Sequence, residues 1–183
     1  LEDPTLQHSE TGLRNIKALA KSGYPTITFA EGHRLIGNSP DLKRDFTAEE
    51  DEKLTQLFDI PFWIYDYPEG VRDSIYHQNE KGSYDTYDLM LPFGYGELTT
   101  GGIRPKTAQD IHQQSQKLGK SYSNEYAAWK DKSQIQTAGF GIGLERIIRF
   151  MSGCESILDI VQYHDLGPNR TINETFFKEK ESV

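Results

Sequence analysis

Cysteine and long apolar runs are almost absent from this chain. Its single cysteine, Cys154, excludes an internal disulfide framework and a cysteine-rich zinc site. It also predicts a cytoplasmic protein, because reducing compartments are where unpaired thiols persist. No apolar run approaches the roughly 20 residues that a membrane-spanning helix needs, and no charged-then-apolar leader opens the sequence. We therefore expect no membrane partner.

Basic residues are also scarce. The 20 lysines and arginines face 28 acidic residues, which gives a net charge of −8, and the mean hydropathy is −0.67. This balance argues against wrapping nucleic acid by bulk charge. Aromatic residues, at 11%, are too frequent for a disordered chain, and 183 residues suit a single domain over 1–183. Any site for phosphate groups must therefore concentrate the few arginines.

The hydrophobic pattern predicts strands in series, followed by helices. The expected strands are 24–29, 62–67, 71–78, 84–91, 95–100 and 138–142. The expected helices are one beginning with a Thr47/Glu50 capping box and those at 107–118, 121–131 and 143–151, with a further helical stripe at Leu13, Ile16, Leu19 and Ala20. This order predicts an α+β fold, with an antiparallel β-sheet flanked by helices.

Asp88 is the first polar residue of interest on these strands. Alternation places Tyr84, Thr86, Asp88 and Met90 on one face of the strand, and Tyr87, Leu89 and Leu91 on the other. We expect the second set to be the apolar, buried face. Asp88 then lies opposite it, either on a binding surface or simply in solvent.

The next segment surrounds one carboxylate and one arginine with four glycines. Glu97 and Arg104 are seven residues apart, which puts them on opposite faces of a regular strand. A bulge at Gly101-Gly102 would bring both to one side. Together they could hold a metal-bound phosphate and a substrate carboxylate. The alternative is a plain Glu97–Arg104 ion pair beside a turn.

A glycine-rich strand then enters a helix at 139–146. The helical period predicts a buried stripe of Leu144, Ile147, Ile148 and Met151, and an exposed ion pair between Glu145 and Arg149. Arg146 lies in the first turn, where a cation faces the positive end of the helix dipole. That placement is tolerable if the guanidinium meets an anion or stacks on a ring, and a nucleotide offers both. The alternative is an exposed arginine in water.

Four segments together resemble the catalytic domain of class II aminoacyl-tRNA synthetases, in the aspartyl/asparaginyl branch. GFGIGLER at 139–146 is similar to the third signature motif of that class, and 87–104 to the segment between the second and third motifs. The stretches 62–76 and 24–32 are similar to the preceding strands and helix start. The nine-residue spacing from Asp88 to Glu97 and the PFGYGE stretch resemble the asparaginyl type. They resemble still more its archaeal-type relative, an asparagine synthetase built on the same catalytic core.

The resemblance implies a site for ATP and Mg²⁺. Glu97 and Asp88 would hold ATP through Mg²⁺, Thr100 would assist the metal or phosphates, and Arg146 would stack on adenine and touch the phosphates. Arg104 would bind the side-chain carboxyl or amide oxygen of the amino acid. Four glycines would keep the backbone clear of the ligands: Gly101, Gly102, Gly141 and Gly143. The resemblance also implies a homodimer.

Some parts of the family pattern are not recognisable. The family places its dimer-building first motif, and the second motif with its α-phosphate arginine, before the region of Tyr24, which only 23 residues precede here. No anticodon-binding barrel is recognisable. Pro105 follows Arg104 where many relatives have Glu, and 162–165 replaces a Phe-Pro-Arg stretch.

These observations leave three hypotheses. The first is an ATP-dependent ligase that activates aspartate as an acyl-adenylate, with ammonia attacking to form asparagine. The second is the catalytic core of an asparaginyl-tRNA synthetase. The third is a paralogue that binds amino acid or nucleotide without catalysis. The partners expected are aspartate or asparagine and ATP, with tRNA left open.

Overall fold

The computed structural model describes residues 9–40 and 44–161. A five-stranded sheet runs through them in the order β1-β2-β3-β4-β5. Its strands are β1 (Thr26–Thr28), β2 (Phe62–Tyr67), β3 (Tyr84–Leu91), β4 (Gly96–Ile103) and β5 (Ala138–Ile142). The helices are α1 (Glu10–Leu19), α2 (Phe29–Leu35), α3 (Ala48–Thr55), α4 (Ala108–Leu118), α5 (Asn124–Ser133) and α6 (Leu144–Ser152), followed by a 3₁₀ turn at Ile157–Asp159.

The α+β fold predicted from the sequence is confirmed. Four strands form an antiparallel meander-like sheet, and only the short β1 pairs in parallel with β2. The Thr47 cap is also confirmed, since Thr47 Oγ1 accepts from the Glu50 N–H at 3.3 Å and Glu50 Oε2 accepts from the Thr47 N–H at 2.9 Å. No helix within the described ranges is long and apolar enough to cross a membrane.

The strand predicted at 71–78 is wrong. Asp73 bends this segment instead: its carboxylate accepts from the Ser74 N–H at 2.8 Å, and its carbonyl accepts from the Tyr76 N–H at 3.1 Å. Side chain-to-backbone bonds of this kind favour turns over strand pairing. Only a single bridge, Gln78 to Tyr84, joins the end of the segment to β3.

The larger core lies on the sheet face that we call the front face, which carries Tyr84, Thr86, Asp88 and Met90 on β3. Seven buried residues form this core: Phe29, Leu54, Phe62, Ile64, Tyr67, Tyr84 and Met90. The alternation along β3 was predicted correctly, but the assignment of its buried face was wrong. Asp88 is only 3% exposed, whereas Tyr87 on the back face is 49% exposed.

The back face is covered at one end by α1 and α6. Leu91, Leu98 and Phe150 form a second core there, and Asn15 of α1 donates to the Phe150 carbonyl at 2.7 Å. The fully buried residue of α6 is therefore Phe150, with Ile147 packed against the same core.

The buried stripe predicted for α6 is mostly wrong. Leu144, Ile148 and Met151 are 62%, 41% and 43% exposed, because α1 covers the neighbouring Phe150 side of the helix. The expected Glu145–Arg149 pair is also not among the ion pairs of the described residues. Arg149 instead donates to the Glu155 carbonyl at 3.0 Å and lies 4.8 Å from the Tyr95 ring centroid.

Candidate functional site

A bulge in β4 determines which side chains share the front face. Leu89 pairs with Thr99 and the next residue, Met90, pairs with Glu97, so that Leu98 is the extra residue on β4. The bulge predicted at Gly101-Gly102 is therefore wrong in position. An extra residue reverses the alternation of the residues beyond it, so Glu97 and Thr100 both face the front.

Glu97, Thr100 and Asp88 form the centre of the site. Thr100 pairs directly with Asp88 across β3 and β4, and its hydroxyl donates to Glu97 Oε1 at 2.9 Å. Asp88 and Glu97 also line a polar cavity of about 50 Å³, whose wall includes Asp45 and Asp51. Carboxylates from two strands and from the α3 region thus converge on one small space.

Asp88 is held at this position by a buried ion pair. The Arg72 guanidinium contacts Asp88 Oδ2, and the Tyr67 hydroxyl donates to the same oxygen at 2.6 Å. Arg72 also donates to Asp45 Oδ2 at 3.0 Å. The other oxygen, Asp88 Oδ1, is buried without a hydrogen-bond partner in the described part of the chain. The expectation of a solvent-exposed Asp88 is therefore wrong.

Arg146 lies at the Glu97 end of β4. Its Nη1 donates to the Glu97 carbonyl at 2.5 Å and lies 3.8 Å from Glu97 Oε1. The side chain remains 47% exposed, but its head is anchored on the strand and does not extend into water. A Cβ at Gly143 would lie 2.9 Å from Arg146 Cδ, so the glycine makes room for this folded-back side chain.

Arg104 lies at the opposite end of β4. Its guanidinium is 4.6 Å from the Tyr76 ring centroid, and its Nη1 is buried with no hydrogen-bond partner among the residues described. Gly102 supports this arrangement, because a Cβ there would lie 3.0 Å from Tyr76 Cδ1 and 2.6 Å from the Asp85 carbonyl oxygen. No ion pair joins Glu97 to Arg104 within the described chain, so that alternative is wrong.

The other glycines divide between the two faces. Gly141 pairs with Thr100, and a Cβ there would meet nothing within 4 Å, so Gly141 borders open space on the front. Gly101 pairs with Phe140 on the back face, and its missing Cβ would lie 2.7 Å from Phe140 Cβ. Gly101 is thus the one predicted glycine that the structure does not bring to the site.

Four residues that the sequence analysis did not single out lie at the site: Tyr67, Arg72, Asp45 and Asp51. Tyr67 ends a predicted strand, where an aromatic residue carries no functional signal, and Arg72 lies in the segment that is predicted to be a strand. The only local signal was the acidic first turn of α3, which is equally typical of a solvated helix start.

Two carboxylates of the cavity, Glu97 and Asp51, have raised pKa values. Burial, followed by the charge of Asp88, raises the pKa of Glu97. Burial, followed by the charge of Glu97, raises the pKa of Asp51 to about 7. Several carboxylates that share a confined space favour protonation of one of them or the binding of a cation.

Asp51→Asn should therefore stabilise the chain at alkaline pH. The folded-state pKa of Asp51 lies above its ordinary value of 3.8, so wild-type stability falls as pH rises from about 4 to about 7. Asparagine does not ionise, so it avoids this loss. We expect the free energy of unfolding of the variant to exceed that of wild type by about 1 to 2 kcal/mol near pH 8, and by almost nothing near pH 4. Urea unfolding of both proteins at about pH 4 and about pH 8 measures this difference in stability. Glu49→Gln, at an exposed position of the same helix turn, is the control, and an equal gain at both pH values would contradict the assignment.

The residues present fit a hard divalent cation. The donors are carboxylate and hydroxyl oxygens, which Mg²⁺ prefers, and Asp88 Oδ1 is a buried oxygen with an unused lone pair. Among the described residues there is no group of three or more Asp, Glu, His or Cys side chains arranged to hold a metal ion by themselves. Mg²⁺ usually keeps one or two protein carboxylates and completes its shell with phosphate and water, so Asp88 and Glu97 would be enough protein ligands for it.

One protein family matches most of this chain. The family described as tRNA synthetases class II (D, K and N) matches residues 4–166. The chain belongs to this family. Among curated relatives, the asparagine–tRNA ligase of Herpetosiphon aurantiacus is 29% identical over 124 residues, which cover 65% of this chain and 28% of the relative.

Solved structures give the same fold. Asparaginyl-tRNA synthetase from Pyrococcus horikoshii, complexed with asparaginyl-adenylate, superposes with a TM-score of 0.68 at 22% identity, covering 84% of this chain and 36% of that one. Aspartyl tRNA synthetase from Entamoeba histolytica gives a TM-score of 0.72 at 21% identity, covering 84% and 33%. This class II synthetase domain thus spans about a third of the proteins that it matches.

Proposed function

We propose that this synthetase domain carries the amino-acid-activating chemistry of an asparaginyl-tRNA synthetase, joining asparagine to ATP as an adenylate. The observation that supports it best is the layout of the front face of β4. Carboxylates and a hydroxyl occupy its centre, and an arginine stands at each end. At roughly 3.3 Å per residue, the stretch of strand from Glu97 to Arg104 is about 20 Å long. This length suits an elongated ligand with unlike ends.

Arg104 is the proposed amino-acid end of the site. The Arg104 side chain is only partly buried, and stacking on Tyr76 restricts the guanidinium plane, so we assign its planar fork to the side-chain oxygen of a small amino acid. Arg146 is the proposed nucleotide end. Its half-exposed guanidinium, anchored on the Glu97 carbonyl, can cover an adenine ring and reach phosphate oxygens. Gly141 leaves open space between them.

Glu97 and Asp88 Oδ1 would hold Mg²⁺, with the Thr100 hydroxyl beside them. The ion would supply neutralisation of the charge on the ATP phosphates. Thr100 also orients Glu97, since its hydroxyl donates to one carboxylate oxygen and leaves the other available.

The proposed reaction is an in-line displacement at the α-phosphorus of ATP. The α-carboxylate oxygen of the amino acid forms a bond to phosphorus, and the bond from phosphorus to the bridging oxygen breaks, so pyrophosphate leaves with the electron pair. The protein needs no nucleophile of its own. Its residues contribute by holding the two substrates in line and by stabilising charge.

The relatives favour asparagine and tRNA over aspartate and ammonia. Curated relatives from Herpetosiphon aurantiacus and Pyrococcus abyssi are asparagine–tRNA ligases, and a solved neighbour is complexed with asparaginyl-adenylate. We therefore prefer the second hypothesis from the sequence to amide formation by an asparagine synthetase-like ligase. The tRNA partner, the homodimer and the cytoplasmic location stay predictions.

Exchange of labelled pyrophosphate into ATP tests this proposal. We expect exchange that depends on asparagine and Mg²⁺, with aspartate a poorer substrate. Faster exchange with aspartate, together with asparagine formation from ammonia, would support amide formation instead. Calorimetric binding of asparagine and ATP without any exchange would identify a non-catalytic paralogue and contradict the proposal.

Glu97→Gln should weaken the binding of Mg·ATP by about 10- to 100-fold, since it removes a charged ligand but keeps the shape of the side chain. Thr100 can still donate to the amide oxygen, so the fold should survive. Calorimetry of ATP with and without Mg²⁺ measures the effect. Glu80→Gln, at an exposed position, is the control, and equal Mg²⁺ dependence in Glu97→Gln and wild type would exclude the metal role.

A further inference from the structure

The Arg72–Tyr67–Asp88 cluster is asymmetric. Both partners of the Asp88 carboxylate use the same oxygen: Arg72 Nη2 contacts Oδ2, and the Tyr67 hydroxyl donates to Oδ2 at 2.6 Å. Asp88 Oδ1 receives no hydrogen bond from any described residue, although it is buried. The side chains of Arg72 and Asp88 are only 8% and 4% exposed.

A purely structural ion pair in such a place would use both oxygens. Burying a carboxylate is favourable only when its remaining lone pairs are also satisfied. Asp88 also lines the small cavity, together with Glu97 and Asp51. Asp88 Oδ1 thus has no hydrogen bond from the described part of the chain, although its carboxylate lines an acidic cavity. This combination indicates that Oδ1 is available as a ligand for a cation in the cavity.

The partners of Asp88 are themselves fixed. The Arg72 guanidinium carbon lies 3.6 Å from the Tyr67 ring centroid, and Arg72 Nη1 donates to Asp45 Oδ2 at 3.0 Å. Tyr67 is only 1% exposed, and its hydroxyl donates to Asp88 Oδ2 at 2.6 Å. Asp88 therefore cannot rotate without breaking contacts to two ordered groups.

We infer that Arg72 and Tyr67 are positioning residues that hold one oxygen of Asp88 and so present the other to the divalent cation of the bound nucleotide. This inference rests on the proposed function. Neither residue touches the nucleotide. Both act through Asp88, as hydrogen-bonding partners of a metal ligand do when they fix its orientation.

The test measures the affinity for ATP by calorimetry across a series of free Mg²⁺ concentrations. Tyr67→Phe removes only the hydroxyl, and Arg72→Lys keeps the charge but loses the forked contact to Asp88 and Asp45. Each should raise the Mg²⁺ concentration for half-maximal ATP binding by about 10- to 100-fold. ATP binding without Mg²⁺ should not change. Tyr65→Phe, on the same strand at a partly exposed position, and Arg34→Lys, at an exposed one, are the matched controls and should behave as wild type.

The outcomes separate this inference from the proposed function. If wild type binds ATP with Mg²⁺ but both variants keep its Mg²⁺ dependence, the positioning role is wrong, whatever their thermal stability. If wild type binds no ATP at any Mg²⁺ concentration, the proposed function and the inference both fail. If Arg72→Lys does not fold, the Mg²⁺ dependence of Tyr67→Phe alone tests the positioning role, because this change removes one oxygen atom and leaves the ring beneath Arg72.

Discussion

Arg104→Ala should lower the affinity for the amino acid by about 100-fold or more while ATP still binds. A guanidinium that makes one or two charge-assisted hydrogen bonds to a buried oxygen contributes about 1.5 to 3 kcal/mol for each. The Arg104 Nη1 has no partner in the described chain to lose, so the truncation should affect the ligand more than the fold. Calorimetry with asparagine, with aspartate and separately with ATP measures the effect.

The control for this result is the conservative variant at the same position. Arg104→Lys keeps a positive charge at the end of β4 but loses the planar fork, so it should restore little affinity. If Arg104→Ala binds asparagine as tightly as wild type, the amino-acid end of the site has been placed wrongly.

The sheet could be predicted because its signals are local. The β-branched and aromatic residues of β2 and β3 define strands by their own alternation, and the structure confirms both ranges. The segment at 71–78 shows the limit of that reasoning. Its composition is compatible with a strand, but the side chain of Asp73 bonds to its own backbone and bends the chain.

The direction of burial was harder to predict than the periodicity. The apolar period of α6 is real, yet Ile148 and Met151 are exposed because α1 lies against Phe150 instead. On β3 the alternation correctly predicts which residues share a face, but the buried face is the one that carries Asp88 and not the one that carries Tyr87. A period specifies which residues share a face, whereas the covering element is decided by packing between distant segments.

The centre of the site was only partly predictable for the same reason. Glu97, Thr100 and Arg104 stand out because glycines flank them. The structure brings Glu97 and Thr100 to the front face. The Arg104 guanidinium lies on the same face, since it contacts Tyr76 next to Gly102. The bulge at Leu98 that achieves this has no glycine to mark it. Arg72 reaches Asp88 across 16 residues of chain, and no local pattern indicates that such a contact forms.

Asp88→Ala should destabilise the fold by about 3 to 5 kcal/mol, because it leaves the charge of Arg72 buried without its main partner. Arg72 is 8% exposed and would keep only Asp45, whose side chain is 47% exposed. The Tyr67 hydroxyl would lose its acceptor as well. Urea unfolding measures the loss, and Glu80→Ala at an exposed position should cost less than about 0.5 kcal/mol.

A double-mutant cycle separates the ion pair from the cavity that alanine creates. Arg72→Met in the Asp88→Ala background removes the unpaired charge, and replacing a buried pair with apolar groups is often close to neutral. The double variant should therefore recover about 1 to 3 kcal/mol relative to the sum of the two single changes. Strict additivity would mean that the two side chains contribute independently. In that case Asp88 would not depend on Arg72 for its position, and the asymmetric contact at Oδ2 would have no role in presenting Oδ1 to the cavity.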